Sequence, residues 1–218
     1  MNRRSFVKSA AVLCGCATTE MISSPTAEGE SKKLGEITMF EKKVDVNFYI
    51  DHATKENATG DIAKIYQMFP LMIPGPILIK SIDAQLAGMN ANEIFYFVRH
   101  KTISSKVFSA IRYILAVRVN SAYCTAVNGK ALLSGGLSED MLDSLVKKES
   151  CKFFTDKENA LIRFAVNASM NFETTNAEDI NKVKSFGWND EELLAAVVNG
   201  IDSIAGINVF KAFSVKEH

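Results

Sequence analysis

The chain has 218 residues, of which 47% are hydrophobic and 23% are charged. This apolar share supports a hydrophobic core and excludes a wholly disordered protein. The 25 basic residues balance the 25 acidic ones, so no overall basic field indicates nucleic acid as a partner. The four cysteines and three histidines are scattered without ligand spacing. The sequence therefore predicts no metal and no other cofactor.

The first 19 residues have the pattern of an export signal. Arg3 and Arg4 precede a serine, two apolar residues and a lysine, an order that resembles the twin-arginine signal. The apolar stretch that follows is too short to span a bilayer, which needs about 20 residues. Cys16 stands in a sequence similar to a lipobox, so both lipidation of Cys16 and simple cleavage are open. Either outcome places the protein in the periplasm or the cell envelope, whereas the alternative is a disordered basic terminus.

The remaining chain divides into a tether and one helical domain. Residues 20–43 are polar and irregular, which predicts a flexible tether, and the domain is expected over residues 44–218. It begins with a short alternating arm at 44–50. Apolar spacing predicts helices over 60–69, 77–89, 92–100, 105–119, 122–133, 138–148, 155–170, 176–186 and 191–213. Because strand-length runs between hairpin turns are absent, the predicted fold class is all-α.

Three local features refine this prediction. Thr59 is expected to cap the first helix, and Thr155 opens a capping box. The last helix contains Gly200 and Gly206, which predict close packing against neighbours. Its charged residues favour a core or subunit-interface helix over a membrane span.

Residues 114–141, ILAVRVNSAYCTAVNGKALLSGGLSEDM, carry the clearest motif. They resemble the alkylhydroperoxidase D-like and carboxymuconolactone decarboxylase family. In its peroxidase branch a helix ends in asparagine, Cys-x-x-Cys-x-x-x-His opens the next helix, and a Gly-Leu-Ser/Thr turn follows. Asn120, Cys124 and the turn at 136–138 match this pattern.

Three other motif positions are changed. Ser121 stands at the first cysteine, Asn128 at the histidine, and Ser109 at the glutamate of the preceding helix. The resemblance covers about residues 55–215. It implies an AhpD-like helical domain, a homo-oligomer such as a trimer or hexamer, and a cysteine near a pocket at helix and subunit contacts. The implied activity is that of a haem-free, thiol-dependent peroxidase.

The changed positions remove the usual relay. Two cysteines three residues apart can pass from sulfenic acid to disulfide, and a histidine can draw off the thiol proton. Asn128 cannot act as a base near neutral pH, Ser109 cannot ionise and Ser121 cannot resolve. The start of a helix still favours the thiolate of Cys124 mildly.

Three interpretations of Cys124 stay open. It is a small buried hydrophobic residue, or it is the nucleophile of a one-cysteine peroxidase that a peroxide oxidises and an external thiol or dithiol reductant restores. In the third, Cys124 pairs with Cys151, as a structural disulfide or as a substitute resolving cysteine. That pairing requires Cα atoms within about 7 Å.

Two classes of function follow. The first is an exported thiol peroxidase or related redox protein that uses Cys124. The alternative is a catalytically inactive protein that binds a small apolar ligand or a partner. A decarboxylating lyase is disfavoured by export and by the few acid–base groups. Arg112 and Arg118 precede the motif; we expect solvated or salt-bridged surface groups, although either would favour the thiolate if it pointed inward.

Overall fold

The computed structural model describes residues 48–70 and 72–214. The predicted export signal with Cys16, the tether and residues 44–47 of the predicted arm lie outside these residues. The described residues form nine α-helices, with a short 3-10 turn at Phe172–Thr174. They are α1 Gly60–Gln67, α2 Gly75–Lys80, α3 Ala84–Val98, α4 Ser105–Arg118, α5 Ala122–Ser134, α6 Glu139–Lys148, α7 Asp156–Met170, α8 Ala177–Lys184 and α9 Asp190–Phe213.

This architecture confirms the all-α prediction. In the described part of the chain, β-pairing is limited to one isolated antiparallel bridge between Phe48 and Ser214. The amide of Tyr49 donates to the carbonyl oxygen of Phe213 at 2.9 Å. The start of the domain is thereby joined to the end of α9.

Most helix starts follow from local hydrogen bonding. Thr155, Asn176 and Asn189 each form a capping box, in which the side chain accepts from the third helical amide and the acidic residue there accepts in return. Ser138 accepts from the amide of Met141. Thr59 occupies the N-cap of α1 but makes no side-chain capping bond, so the cap predicted there is wrong.

The boundary between α2 and α3 also differs from the prediction. The sequence predicts one helix over 77–89 and another over 92–100, whereas the chain breaks at 81–83 and then remains helical to Val98. Asp83 causes this break, because its carboxylate accepts from the amides of Gln85 and Leu86 at 2.8 and 3.2 Å and starts α3. Apolar residues continue at helical spacing on both sides of the break, so their periodicity did not predict it.

The main core surrounds α4. Ile111, Ile114 and Leu115 of this helix are fully buried, and α4 packs against α5, α7 and α9. A second cluster joins α1, α2 and α3 through residues such as Tyr66, Ile77 and Phe95. A space remains between the two clusters, where α2 and α3 face α4, α5 and α9.

The two glycines of α9 have different surroundings. A Cβ at Gly200 would lie 2.1 Å from Ser169 Oγ and 3.1 Å from Leu115 Cδ1, so the predicted close packing is confirmed there. Gly206 has no neighbour within 4 Å of such an atom among the described residues. By length and composition alone α9 could cross a membrane, and it contributes buried residues to the core, among them Leu193, Ala196 and Ile207.

Candidate functional site

A cavity of about 320 Å³ lies between the two clusters. Its walls are mostly apolar and come from five helices and the loop before α2; they include Phe69, Met72, Ile94, Phe97, Val127 and Ile207. Volumes in this range are at the lower end for sites that hold small molecules. The cavity is therefore the candidate site for a small molecule.

One wall depends on a glycine. The amide of Gly75 donates to the phenolic oxygen of Tyr123 at 2.9 Å, and the Tyr123 ring stacks on Phe210 with centroids 4.7 Å apart. A Cβ at Gly75 would lie 2.7 Å from the Phe210 ring and 2.8 Å from the Tyr123 ring. Only glycine allows α2 to approach these rings so closely.

The predicted site residues are brought together only in part. Cys124, Asn128 and Ser109 all line the cavity. Ser121 is buried beside it at the start of α5. Cys151 lies elsewhere, buried in the main core, where its amide donates to Asn159 Oδ1 at 3.1 Å. Both cysteines are free thiols.

The surroundings of Cys124 set its ionisation. Burial raises the pKa of the Cys124 thiol above its ordinary value, whereas a hydrogen bond from Ser121 and the charges of Arg112 and Lys211 act in the opposite direction. The thiolate-favouring effect expected at a helix start is thus outweighed by desolvation. At neutral pH the thiol form dominates.

Ser121 and Asn128 have specific local roles. Ser121 occupies the N-cap of α5 without making a capping bond, and its side chain lowers the pKa of the Cys124 thiol. Asn128 donates to the backbone carbonyl oxygen of Cys124 at 2.8 Å. Asn120, two residues beyond the end of α4, adopts a left-handed conformation with φ of 53°, which asparagine tolerates better than most residues.

The expectation that Arg112 is a surface group is wrong. Its side chain borders the cavity, and burial lowers the pKa of the guanidinium to about 10, so it remains cationic at neutral pH. Its Nη2 donates to Ser109 Oγ at 3.3 Å. Arg118, two turns further on, forms an ion pair with Glu149 outside the cavity, as expected for a salt-bridged surface residue.

Further polar residues in the cavity were not predicted. Glu93 accepts from Asn90 Nδ2 at 3.1 Å, and burial raises the pKa of its carboxyl. Burial also raises the pKa of Asp202, which lies near Lys80. All four residues line the cavity. The sequence signal for them is polar residues placed on otherwise apolar helices, at 90 and 93 in α3 and at 199 and 202 in α9.

Several polar atoms of the cavity lack a partner. Four buried side-chain atoms in the described residues make no hydrogen bond, and three of them, Asn90 Oδ1, Arg112 Nε and Asn199 Oδ1, belong to residues that line this cavity. A buried polar atom without a partner is rare in folded proteins, and its occurrence calls for an explanation.

Metal ligation has no candidate among residues 48–70 and 72–214, where no three His, Cys, Asp or Glu residues are grouped to hold an ion. Neither His52 nor His100 lines the cavity. Comparison with known proteins finds no matching family model, no matching curated protein and no matching solved structure.

Proposed function

We propose that this protein binds a small, largely apolar molecule in the cavity between α2, α3, α4, α5 and α9. The observation that carries the proposal is the coincidence, in one cavity, of mostly apolar walls with three lining residues that each have an unpaired buried polar atom. An unpaired polar atom lowers the stability of the folded protein by about 1–3 kcal/mol when it is buried. A bound molecule that supplies the missing hydrogen bonds offsets this penalty.

Binding can be tested with a neutral amphipathic probe. We expect octanamide to stabilise the full-length protein and to bind saturably in isothermal titration calorimetry. Ala131→Phe places a large ring on the cavity wall and should abolish binding. Ala122→Phe, at an exposed position of the same helix, is the matched control and should bind normally. Binding that survives Ala131→Phe in a folded protein would contradict the proposal.

A second candidate function is one-cysteine peroxidase activity, and the position of Cys124 at the cavity wall favours it. The thiolate sulfur would attack one oxygen of an organic hydroperoxide, the O–O bond would break, and the alkoxide would leave as an alcohol after taking a proton. Cys124 would thereby become a sulfenic acid, oxidised by two electrons. An external thiol or dithiol would restore it and release water.

Intact mass separates the two candidates. The reduced protein would be exposed briefly to cumene hydroperoxide, beside Cys124→Ser and Cys151→Ser. A gain of one oxygen that requires Cys124 but not Cys151 supports a one-cysteine peroxidase. Loss of two hydrogens that requires both cysteines supports Cys151 as the resolving residue. An unmodified Cys124 leaves ligand binding as the function.

We also propose that the domain is of the alkylhydroperoxidase D-like type and assembles into a homo-oligomer. In support, helix α5, which carries the motif residues, begins beside the cavity, and the Gly136-Leu137-Ser138 turn leads into α6. Leu194, Val198 and Ile201 form an exposed apolar row on α9, with 65%, 37% and 46% of each residue exposed. A row of this kind is typical of an interface.

The occupant proposed for this row is a second copy of the chain. Sedimentation of the purified protein should give a trimer or hexamer, and Leu194→Glu combined with Ile201→Glu should shift it to monomers. A monomeric wild type at micromolar concentration would contradict the proposal.

Export with cleavage before Cys16 is likewise proposed from residues 1–19, and the N-terminal mass of envelope-isolated protein tests it.

A further inference from the structure

The charge inside the cavity distinguishes among possible ligands. Arg112 remains cationic because its pKa of about 10 lies well above neutral pH. The ion pairs of the described residues do not include it. Its contact with Ser109 is a hydrogen bond to a neutral hydroxyl, and its Nε is buried without a partner. The charge of Glu93 acts on Arg112 from beyond ion-pair distance, and a half-buried guanidinium without an ion-pair partner is an unusual arrangement.

The nearby carboxyl groups do not neutralise this cation fully. Glu93 and Asp202 border the cavity together with Lys80. Burial raises the pKa of both carboxyls, and neither lies within ion-pair distance of the guanidinium. Arg112 therefore has no ion-pair partner among the described residues, and an anion would be the complementary ligand.

Two carboxamides complete the polar side. Asn199 is 2% exposed and Asn90 is 8% exposed, and one polar atom of each lacks a partner. They come from different helices, α9 and α3, and both line the same space as Arg112. A carboxylate only accepts hydrogen bonds, so a carboxamide complements it through its NH₂ group. Asn90 Nδ2 already donates to Glu93, which leaves the NH₂ group of Asn199 as the donor for a carboxylate head group.

We infer that the cavity binds an amphipathic organic monocarboxylate, with its carboxylate on Arg112 and its hydrocarbon body along the apolar walls. This inference rests on the proposed ligand-binding function and adds the chemical class of the ligand. Arginine and carboxylate form charge-assisted hydrogen bonds, which are stronger than those between neutral groups. A small inorganic anion would leave the apolar walls without contacts.

The test compares two probes of the same shape and different charge. Octanoate and octanamide would be titrated separately into the full-length protein at neutral pH by calorimetry. We expect octanoate to bind about tenfold more tightly or better, which is the range for a hydrogen bond to a charged group. Equal affinity would overturn the carboxylate assignment while leaving the proposed function intact. If neither probe binds, the result contradicts both the carboxylate assignment and the proposed ligand-binding function.

Variants assign the preference to Arg112. Arg112→Gln should weaken octanoate far more than octanamide and so remove the advantage of octanoate. Arg163→Gln, an exposed arginine on α7, is the matched control and should change neither affinity. Loss of the preference in Lys80→Gln, with Arg112→Gln still preferring octanoate, would overturn the role of Arg112.

A second variant covers the case in which Arg112→Gln does not fold. Asn199→Asp keeps the shape of a residue that lines the cavity and adds a negative charge. It should weaken octanoate about tenfold or more and have a much smaller effect on octanamide. An unchanged preference for octanoate in this variant would contradict the proposed position of the carboxylate.

Discussion

The side-chain amide of Asn128 donates to the backbone carbonyl oxygen of Cys124, one turn earlier in α5, at 2.8 Å. The side chain of Asn128 is therefore engaged with the backbone and not with the thiol. The side chain of Ser121 instead lowers the pKa of Cys124, against the larger and opposite effect of burial.

This arrangement predicts that two alanine substitutions will have effects of different size on the reactivity of Cys124. Ser121→Ala should raise the pKa of Cys124 and slow its alkylation by iodoacetamide at pH 8, because the influence of the Ser121 side chain that favours the thiolate is lost. Asn128→Ala should change the rate less than about twofold, since its bond is to the backbone. Rates would be followed by mass mapping of the peptide that contains Cys124. A larger effect of Asn128→Ala would contradict this assignment.

The pH dependence of alkylation follows from the raised pKa of Cys124. Only the thiolate reacts, so a pKa above the ordinary value leaves little reactive species at neutral pH. The rate should rise about tenfold for each pH unit between 7 and 9 and should not level off in that interval. A plateau at or below pH 7 would mean that the thiolate is already formed at neutral pH, and this result would favour the peroxidase candidate.

The two glycines of α9 should respond in opposite directions to alanine. Gly200→Ala forces its Cβ against Ser169 and Leu115, and we expect a loss of about 1–3 kcal/mol in the free energy of unfolding. Gly206→Ala meets nothing within 4 Å, and it should stabilise the protein by up to about 1 kcal/mol because glycine is a poor helix former. Fluorescence of Trp188, the single tryptophan, reports unfolding in urea.

A double substitution checks the cause. Ser169→Ala removes the hydroxyl that a Cβ at Gly200 would approach to 2.1 Å. Gly200→Ala should therefore cost less in the Ser169→Ala background than in the wild type. Strict additivity of the two changes would show that this contact is not the source of the loss.

Gly75→Ala should damage both stability and the cavity. The added Cβ would meet the rings of Phe210 and Tyr123 at 2.7 and 2.8 Å, and stacked rings cannot move apart without losing their packing. We expect a loss of about 1–3 kcal/mol in unfolding free energy, together with weaker octanamide binding. The smaller ring contact in Phe210→Leu should restore part of the stability of Gly75→Ala, and failure to do so would contradict the steric explanation.

Local signals predicted the secondary structure well where capping was strong. The serine, threonine and asparagine caps of α6, α7, α8 and α9 all precede acidic residues in the first turn, and this combination depends on neighbours within four residues. The break at 81–83 was missed because apolar residues on both sides continue the helical spacing. There one carboxylate, that of Asp83, outweighed the periodicity.

The candidate site could be predicted only in part. Cys124, Asn128 and Ser109 were found through the motif, and all three border the cavity. Arg112 was expected at the surface because most helical arginines are solvated. At Arg112 that expectation failed, because this position of α4 faces the cavity, whereas Arg118 on the same helix is exposed as expected.

The sequence by itself determined the all-α class, most helix starts and the place of Cys124 in the first turn of α5, since each depends on short-range spacing and capping. Only the tertiary structure decided which polar groups meet. Glu93, Arg112 and Asn199 lie on three different helices, α3, α4 and α9, and packing brings them to one cavity. The direction in which each side chain points is set by what its helix packs against, and that information is not local.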